Sequence, residues 1–281
     1  MRRLRAPLPV FLIVSFGVTW LLWLPLLLNA QTGSALSVMP YQFFLASFGP
    51  LLGAVAATLS AGGFLELRVW VRRAFSVRFP PIWWAAAVGM PLAYGVIGYV
   101  TAWAVTGTWP DLSRLGLTDK LPGMNAAAVA LVWTLTFGLG EEAGWRGWLL
   151  PHLARRMSVL TAALVVAGVW ICWHLPAFFF NPTYMQMGWS LIGWMIALVA
   201  GSLLLSWITA RAAWSIIPVL IWHAGFDLLT AADQSAGIIA STISAIVILQ
   251  GVLAAWLLWR TRGDDPATTP LTVTGPTFRA S

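Results

Sequence analysis

Long apolar runs separated by short polar or basic segments are the dominant pattern along this 281-residue chain. A bilayer core of roughly 30 Å is crossed by about 20 apolar residues in an α-helix. On this criterion we expect an all-α, polytopic membrane protein. The sequence predicts about eight transmembrane helices, near residues 9–29, 41–62, 83–106, 124–157, 158–180, 187–209, 212–230 and 236–259.

The segments outside these helices differ in character. Residues 63–82 place several arginines among Leu, Val, Trp and Phe, which is typical of a basic amphipathic linker lying against anionic lipid. Three helices and this linker make up residues 1–122, a helical core occupies 123–230, and the last helix lies in 231–262. The tail, residues 263–281, is polar and rich in Thr and Pro, so we expect it to be disordered and cytoplasmic.

The composition supports a membrane protein. The chain is 59% hydrophobic and 9% charged, whereas soluble domains carry about 25% charged residues. Its net charge of +7 does not indicate a nucleic-acid partner, because the basic residues fall in short clusters between apolar runs. Its 19 tryptophans suit a protein with two membrane interfaces. The composition therefore implies membrane lipid as a partner and gives no indication of a nucleic-acid partner.

The distribution of basic residues predicts the orientation in the membrane. Outer segments hold only Arg114 and Lys120, and Asp111 and Asp119 balance these two charges. The positive-inside rule therefore places both termini in the cytoplasm and requires an even number of spans. The inner segments carry the remaining clusters, which are Arg2, Arg3 and Arg5, the arginines of 68–78, Arg155 and Arg156, Arg211, and Arg260 and Arg262.

Two residue counts bear on the source and the compartment. Lys120 is the only lysine among sixteen basic residues, which is typical of a GC-rich genome and indicates the cytoplasmic membrane of a bacterium. Cys172 is the only cysteine, so the chain cannot form an intramolecular disulfide. We expect Cys172 to be a small, buried apolar side chain.

Six ionisable residues lie where the apolar pattern places the membrane interior. A charge near the bilayer centre is costly, so such residues usually face a cavity or a partner, and a functional role is the default interpretation. The alternative is polar contact that only holds helices together. The six are Glu141, Glu142, Arg146, His174, His223 and Asp227.

Spacing separates the roles of the first three. Glu142 and Arg146 are four residues apart, share a helix face and are expected to form an internal ion pair. Glu141 is turned by about 100° from Glu142, which leaves its carboxylate available as a general base or acid. The alternative to this catalytic interpretation is a purely structural cluster in which the three side chains only hold the helix in place.

The other two groups also have a spacing of four. Trp170 and His174 share a face, so the indole can form one wall of a pocket that the imidazole enters. His223 and Asp227 share a face, and Asp227 can orient the imidazole, or both can point into one cavity. Each histidine has packing as its alternative role.

These motifs together resemble a known family. Glu-Glu-X-X-X-Arg, then aromatic-X-X-X-His, then His-X-X-X-Asn/Asp, spread over three apolar segments, resembles the CAAX protease and bacteriocin-processing (CPBP, or Abi) intramembrane proteases. The resemblance covers roughly residues 125–230 and implies a polytopic helical fold. The chain has neither the Gly-X-Ser-X-Gly elbow of serine hydrolases nor the His-Glu-X-X-His helix of zincin metalloproteases, so the sequence supports neither class.

The resemblance implies a role for each motif position. Glu141 corresponds to the residue that activates water, and Glu142 and Arg146 correspond to the pair that holds it in place. His174 matches the histidine of the second motif and His223 that of the third, and in the metal-free mechanism described below both would polarise or stabilise the carbonyl oxygen. The second-motif aromatic, often Phe, is Trp170 here.

The last position departs from the pattern of the prenyl-protein proteases, which have Asn where this chain has Asp227. An Asn side chain can donate to an oxyanion, whereas an ionised Asp cannot. Asp227 would instead suit orienting His223 or binding a metal.

Two mechanisms are compatible with the resemblance. In one, Glu141 activates water directly, and we favour this one. In the other, two histidines and one or two carboxylates hold Zn²⁺ with an open position for water. The candidate ligands for such a metal are Glu141, His174, His223 and Asp227.

The predicted function is an intramembrane endopeptidase acting on a membrane-associated peptide or protein. One alternative is a transporter or proton relay, since intramembrane Glu, His and Asp also mark ion paths. The other is a catalytically silent immunity or scaffold member of the same family.

Overall fold

The computed structural model of the protein describes residues 7–261. Arg2, Arg3, Arg5, Arg262 and the tail 263–281 lie outside the described residues, so the predictions made for them stay predictions. Within residues 7–261 the regular structure is entirely helical, which confirms the all-α fold class. The eight long helical segments are α1 (Pro7–Thr32), α2 (Gly49–Ala74), α3 (Ile82–Thr106), α4 (residues 126–154), α5 (Val159–Trp173), α6 (Ser190–Arg211), α7 (Ile217–Thr230) and α8 (Ile238–Arg260).

Most of these helices can cross a membrane by themselves. Across residues 7–261, five helical segments are long and apolar enough: Pro7–Thr32, Gln42–Ala74, Ile82–Thr106, Ser190–Arg211 and Ile238–Arg260. The second of them includes two short turns, Gln42–Leu45 and Ala46–Phe48, that lead into α2. Helices α5 and α7 are equally apolar but shorter. The chain is therefore an all-α polytopic membrane protein.

The ends of the second and fifth helices differ markedly from the sequence prediction. The second helix, predicted to end at residue 62, continues to Ala74 after a break at Gly63, where φ is 67°. Only glycine adopts this conformation without steric cost, so the helix changes direction there. At the other boundary, α5 stops at Trp173, because His174 and Pro176 begin a tighter turn over Leu175–Phe179.

Glycines let helices approach closely around α4. A Cβ added at Gly140 would lie 2.6 Å from the Ser47 carbonyl oxygen, and one added at Gly144 would lie 2.4 Å from Pro50 Cβ. Gly140 and Gly144 flank the Glu141-Glu142 pair on either side. The pair is therefore positioned against the start of α2 by backbone-to-backbone contact.

Helix α4 is not a regular α-helix. It winds as a π-helix over Thr134–Glu141 and again over Trp145–Leu149, with Glu142–Gly144 between them. Wider π turns change which side chains face a neighbour and are frequent at functional sites. Both glutamates and Arg146 lie in or between these turns.

The prediction for Cys172 is wrong. Its side chain is exposed on the surface of α5, whereas its neighbours Trp170 and Trp173 are buried. A helix in lipid can present a small apolar side chain outward at little cost, because the membrane is as apolar as the protein core.

Candidate active site

The site begins with an ion pair on α4. Glu142 Oε1 accepts a hydrogen bond from Arg146 Nη1 at 2.8 Å, and both side chains are fully buried. This is the pair expected from the spacing of four residues. The same oxygen lies 2.8 Å from His223 Nδ1, so Glu142 also links α4 to α7. Since a carboxylate only accepts, Nδ1 is the donor in this contact.

Glu141 has a separate set of donors. Its Oε2 atom accepts a hydrogen bond from Trp170 Nε1 at 2.7 Å and a longer one from Trp145 Nε1 at 3.4 Å. Its Oε1 atom has no hydrogen-bond partner among residues 7–261. The motif resemblance implies that the Glu142–Arg146 pair holds Glu141, whereas two indoles make its direct hydrogen bonds. One oxygen of a buried carboxylate is thereby fixed, and the other is available.

Trp170 is the common neighbour of the site residues. Besides its bond to Glu141, its ring face lies 4.4 Å from the Arg146 guanidinium carbon. The His223 ring packs edge-on against the same indole, with centroids 5.7 Å apart. The Trp170 carbonyl oxygen lies 2.9 Å from His174 Nδ1. The three sequence motifs therefore meet around one side chain.

His174 directly follows the last residue of α5, and one of its ring nitrogens is already hydrogen-bonded. Because the Trp170 carbonyl can only accept, Nδ1 carries the proton of that contact and leaves Nε2 as the nitrogen available to other groups. Aromatic rings surround the imidazole: Trp173 at 4.8 Å, Trp194 at 5.1 Å and Tyr184 at 6.0 Å, measured between ring centroids. This enclosure fixes the ring plane.

Asp227 lies beside His223, one helical turn further along α7. Its Oδ2 atom is 3.5 Å from His223 Nε2, and its side chain is 18% exposed, more than that of Glu142, Arg146 or His223. His223 therefore has a carboxylate oxygen near each ring nitrogen, Glu142 on one side and Asp227 on the other. An imidazolium at this position would have an acceptor on both sides.

The donor arrangement does not fit a zinc site. A catalytic zinc ion requires three protein ligands that converge on one point. Across residues 7–261, no three His, Cys, Asp or Glu side chains form a group that could hold a metal ion. The four candidates, Glu141, His174, His223 and Asp227, are brought to one region but do not form such a group.

Several neighbours of the site were not anticipated from the sequence. Trp145 follows Glu141 by four residues, a spacing that places both on one face and signals the contact in retrospect. Tyr184 and Trp194 come from the segment after α5 and from α6, and Phe137 packs near the His223 ring at 6.5 Å. No local spacing connects Tyr184 or Trp194 to the motifs, whereas Phe137 precedes Glu141 by four residues.

Comparisons with known proteins agree with the three motifs. The family model described as Type II CAAX prenyl endopeptidase Rce1-like matches residues 123–229, which contain all of the site motifs. CAAX prenyl protease 2 of Methanococcus maripaludis is 28% identical over 115 residues, which are 38% of this chain and 42% of that protein. The chain thus matches less than half the length of this relative. The resemblance to the CPBP family is confirmed for this core.

Proposed function

We propose that this protein is an intramembrane endopeptidase of the CAAX prenyl protease type, acting on a membrane-associated peptide or protein. The observation that carries the proposal is the buried carboxylate of Glu141. Two indoles hold its Oε2 atom, while Oε1 is without a hydrogen-bond partner among the described residues. A general base needs such a free, oriented oxygen within reach of the proton it removes.

The reaction that fits this geometry is attack by water on a peptide carbonyl. Glu141 Oε1 removes a proton from the water, and the water oxygen forms a bond to the carbonyl carbon. The carbonyl oxygen then carries the negative charge. When the carbon–nitrogen bond breaks, the proton held by Glu141 passes to the leaving amine nitrogen. Glu141 thus acts first as base and then as acid.

The two histidines take different parts in this proposal. His174 donates through Nδ1 to Trp170, so the Nε2 atom of a neutral ring can accept a hydrogen bond from the attacking water. His223 can donate from Nε2 to the carbonyl oxygen, because Glu142 accepts from its Nδ1 and stabilises a positive ring. This division of roles differs from the expectation from the sequence that both histidines act on the carbonyl oxygen.

Asp227 supports His223 rather than the substrate. An ionised carboxylate cannot donate to an oxyanion, but its Oδ2 atom lies 3.5 Å from His223 Nε2 and can stabilise a positive ring by its charge. The Nε2–H of His223 then stays available to the carbonyl oxygen. In this proposal His223 supplies the oxyanion donor that Asn would otherwise share.

Cleavage of a quenched peptide library by the purified protein tests the proposal. We expect cleavage that a metal chelator does not reduce, because the donor arrangement does not fit a metal. Loss of cleavage with chelator and recovery with zinc would overturn the metal-free mechanism. No cleavage of the library, or of membrane-anchored peptides, would instead support a silent scaffold.

A further inference from the structure

The segment after Gly63 forms an arm outside the straight course of α2. We name residues 64–78 the basic arm. At Gly63, φ is 67° and ψ is −155°, values far from helical ones, and the helix resumes from there to Ala74. A glycine tolerates this conformation, so the break is encoded in the chain. The arm can therefore lie at an angle to the span that precedes it.

One face of the basic arm docks on α4 directly after Arg146. The Gly147 carbonyl oxygen accepts hydrogen bonds from Trp70 Nε1 at 3.0 Å and from Arg73 Nη2 at 2.8 Å. Four residues beyond Gly147 stands Pro151, which has no N–H to donate to that carbonyl in an α-helical pattern. The arm therefore supplies two donors to a carbonyl that has no α-helical donor in α4.

The end of the arm docks on α7 as well. The Ile216 amide, immediately before α7, donates to the Ala74 carbonyl at 2.8 Å. Ser215 Oγ donates to the Ser76 carbonyl at 2.6 Å. A Cβ at Gly147 would lie 3.3 Å from Ile216 Cγ2 and 3.7 Å from Ala74 Cβ. The arm, the helix of Glu141 and the helix of His223 therefore meet at one point.

The opposite face of the arm is exposed and carries both apolar and basic side chains. Phe64 is 82% exposed and Leu65 is 75% exposed, and Arg68 and Arg72 follow Phe64 at intervals of four residues on the same stripe. Arg78, just after the helical part, is also exposed. Apolar side chains interleaved with arginines are typical of a helix that lies in the headgroup region of an anionic membrane.

The loops at the same end of the molecule add further positive charge. Arg155 and Arg156 follow α4 and Arg211 ends α6, and all three are exposed. Within residues 64–78 the only acidic residue is Glu66. The field at this end therefore favours an anionic lipid surface over a zwitterionic one.

We propose that the basic arm binds anionic phospholipid headgroups and that this binding supports the active site through the contacts at Gly147 and Ile216. Headgroups that hold the free face of the arm would keep its docked face on both catalytic helices. The expected effect of the bound lipid on cleavage rests on the proposed endopeptidase function, whereas the expected lipid binding does not.

Thermal unfolding in detergent tests the binding without reference to activity. We expect short-chain phosphatidylglycerol to raise the unfolding midpoint of the wild-type protein more than phosphatidylcholine does. The triple variant R68Q/R72Q/R78Q should bind phosphatidylglycerol about a hundredfold more weakly, since each arginine near an anionic surface contributes about fivefold. R114Q, an exposed arginine outside the arm, should behave as wild type.

Three results would overturn the binding proposal. One is an equal rise in the unfolding midpoint with phosphatidylglycerol and with phosphatidylcholine. Another is a triple variant whose midpoint rises with phosphatidylglycerol as much as that of the wild type. The third is a shift of the same size with inorganic phosphate alone, which would show a simple anion site.

Reconstitution into vesicles tests the link to the active site. With phosphatidylglycerol added to phosphatidylcholine, the wild type should cleave faster and the triple variant should not respond. Trp70→Phe keeps the aromatic ring but removes the donor to Gly147, so it should bind the lipid and show a smaller activation. Full activation of this variant would overturn the link. Lipid binding by a wild type that cleaves nothing in any vesicle would overturn the endopeptidase function and leave the binding proposal standing.

Discussion

Trp170 connects the three motifs through four different contacts. Its N–H donates to Glu141, its ring faces Arg146 and His223, and its carbonyl accepts from His174. In the second motif of the CPBP family this position is often Phe, whose ring provides packing but no donor. The indole N–H is therefore a positioning group for the proposed base.

Trp170→Phe should lower kcat and leave KM nearly unchanged. The variant keeps an aromatic ring beside Arg146 but removes the 2.7 Å hydrogen bond to Glu141. Hydrogen bonds to charged groups contribute about 1.5–3 kcal/mol, so the expected loss in kcat is about 10- to 150-fold. Steady-state kinetics on a cleaved peptide measure both constants.

Trp173→Phe is the matched control for that variant. Trp173 is also buried, lies on the same helix and donates from Nε1 to Thr19 Oγ1 at 2.9 Å instead of to Glu141. Phe at this position keeps an aromatic ring beside His174. Its loss should lower thermal stability without a comparable loss in kcat. Equal effects of the two variants on kcat would show that Trp170 acts only through packing.

The residue-scale features predictable from sequence are those set by local spacing. The Glu142–Arg146 pair follows from a separation of four residues on a helix, and it is present at 2.8 Å. The contact between Glu142 and His223 crosses 81 residues, and the donation of Trp170 to Glu141 crosses 29. Such contacts depend on how helices pack, which side-chain periodicity does not specify.

At the scale of elements, close packing between α4 and the start of α2 places the two glutamates. Gly144 lies against Pro50, where a Cβ would be 2.4 Å from Pro50 Cβ and 2.6 Å from its carbonyl oxygen. Backbone atoms cannot move aside as a flexible side chain can. The glycine is therefore required by this helix contact.

Gly144→Ala should destabilise the protein by about 1–3 kcal/mol through overpacking. It should also reduce cleavage, since Glu142 and Arg146 lie within two residues. Gly168→Ala is the control, because a Cβ there meets nothing within 4 Å and alanine favours a helix. Thermal unfolding in detergent compares the two, and an equal or higher midpoint for Gly144→Ala would contradict the packing argument.

The helices that could be predicted are those defined by the length of an apolar run alone. Helices α1, α3, α6 and α8 lie close to their predicted ranges, because a membrane span needs a minimum apolar length. The helical part of the basic arm and the π turns of α4 were not predicted. The arm contacts Gly147, more than 70 residues away in sequence, through Trp70 and Arg73. Apolar length gives no signal for such a contact or for a π turn.

At the scale of the whole molecule, the polytopic helical fold is confirmed, and the orientation in the membrane remains a prediction. In a background of Cys172→Ser, a cysteine introduced at exposed Ser113 should react with a membrane-impermeant maleimide in intact cells. A cysteine introduced at exposed Arg211 should react only after the cells are permeabilised. The opposite pattern would reverse the orientation and place the basic arm on the outer surface.

In the proposed mechanism Glu141 activates the water that cleaves the peptide, and the Glu141→Gln variant removes this base alone. Glutamine keeps the size of the side chain and can still accept the indole hydrogen bonds, but it cannot serve as a base at neutral pH. We expect cleavage to fall by at least about a hundredfold, with an unfolding midpoint close to that of the wild type. Retained cleavage by the folded variant would contradict the account.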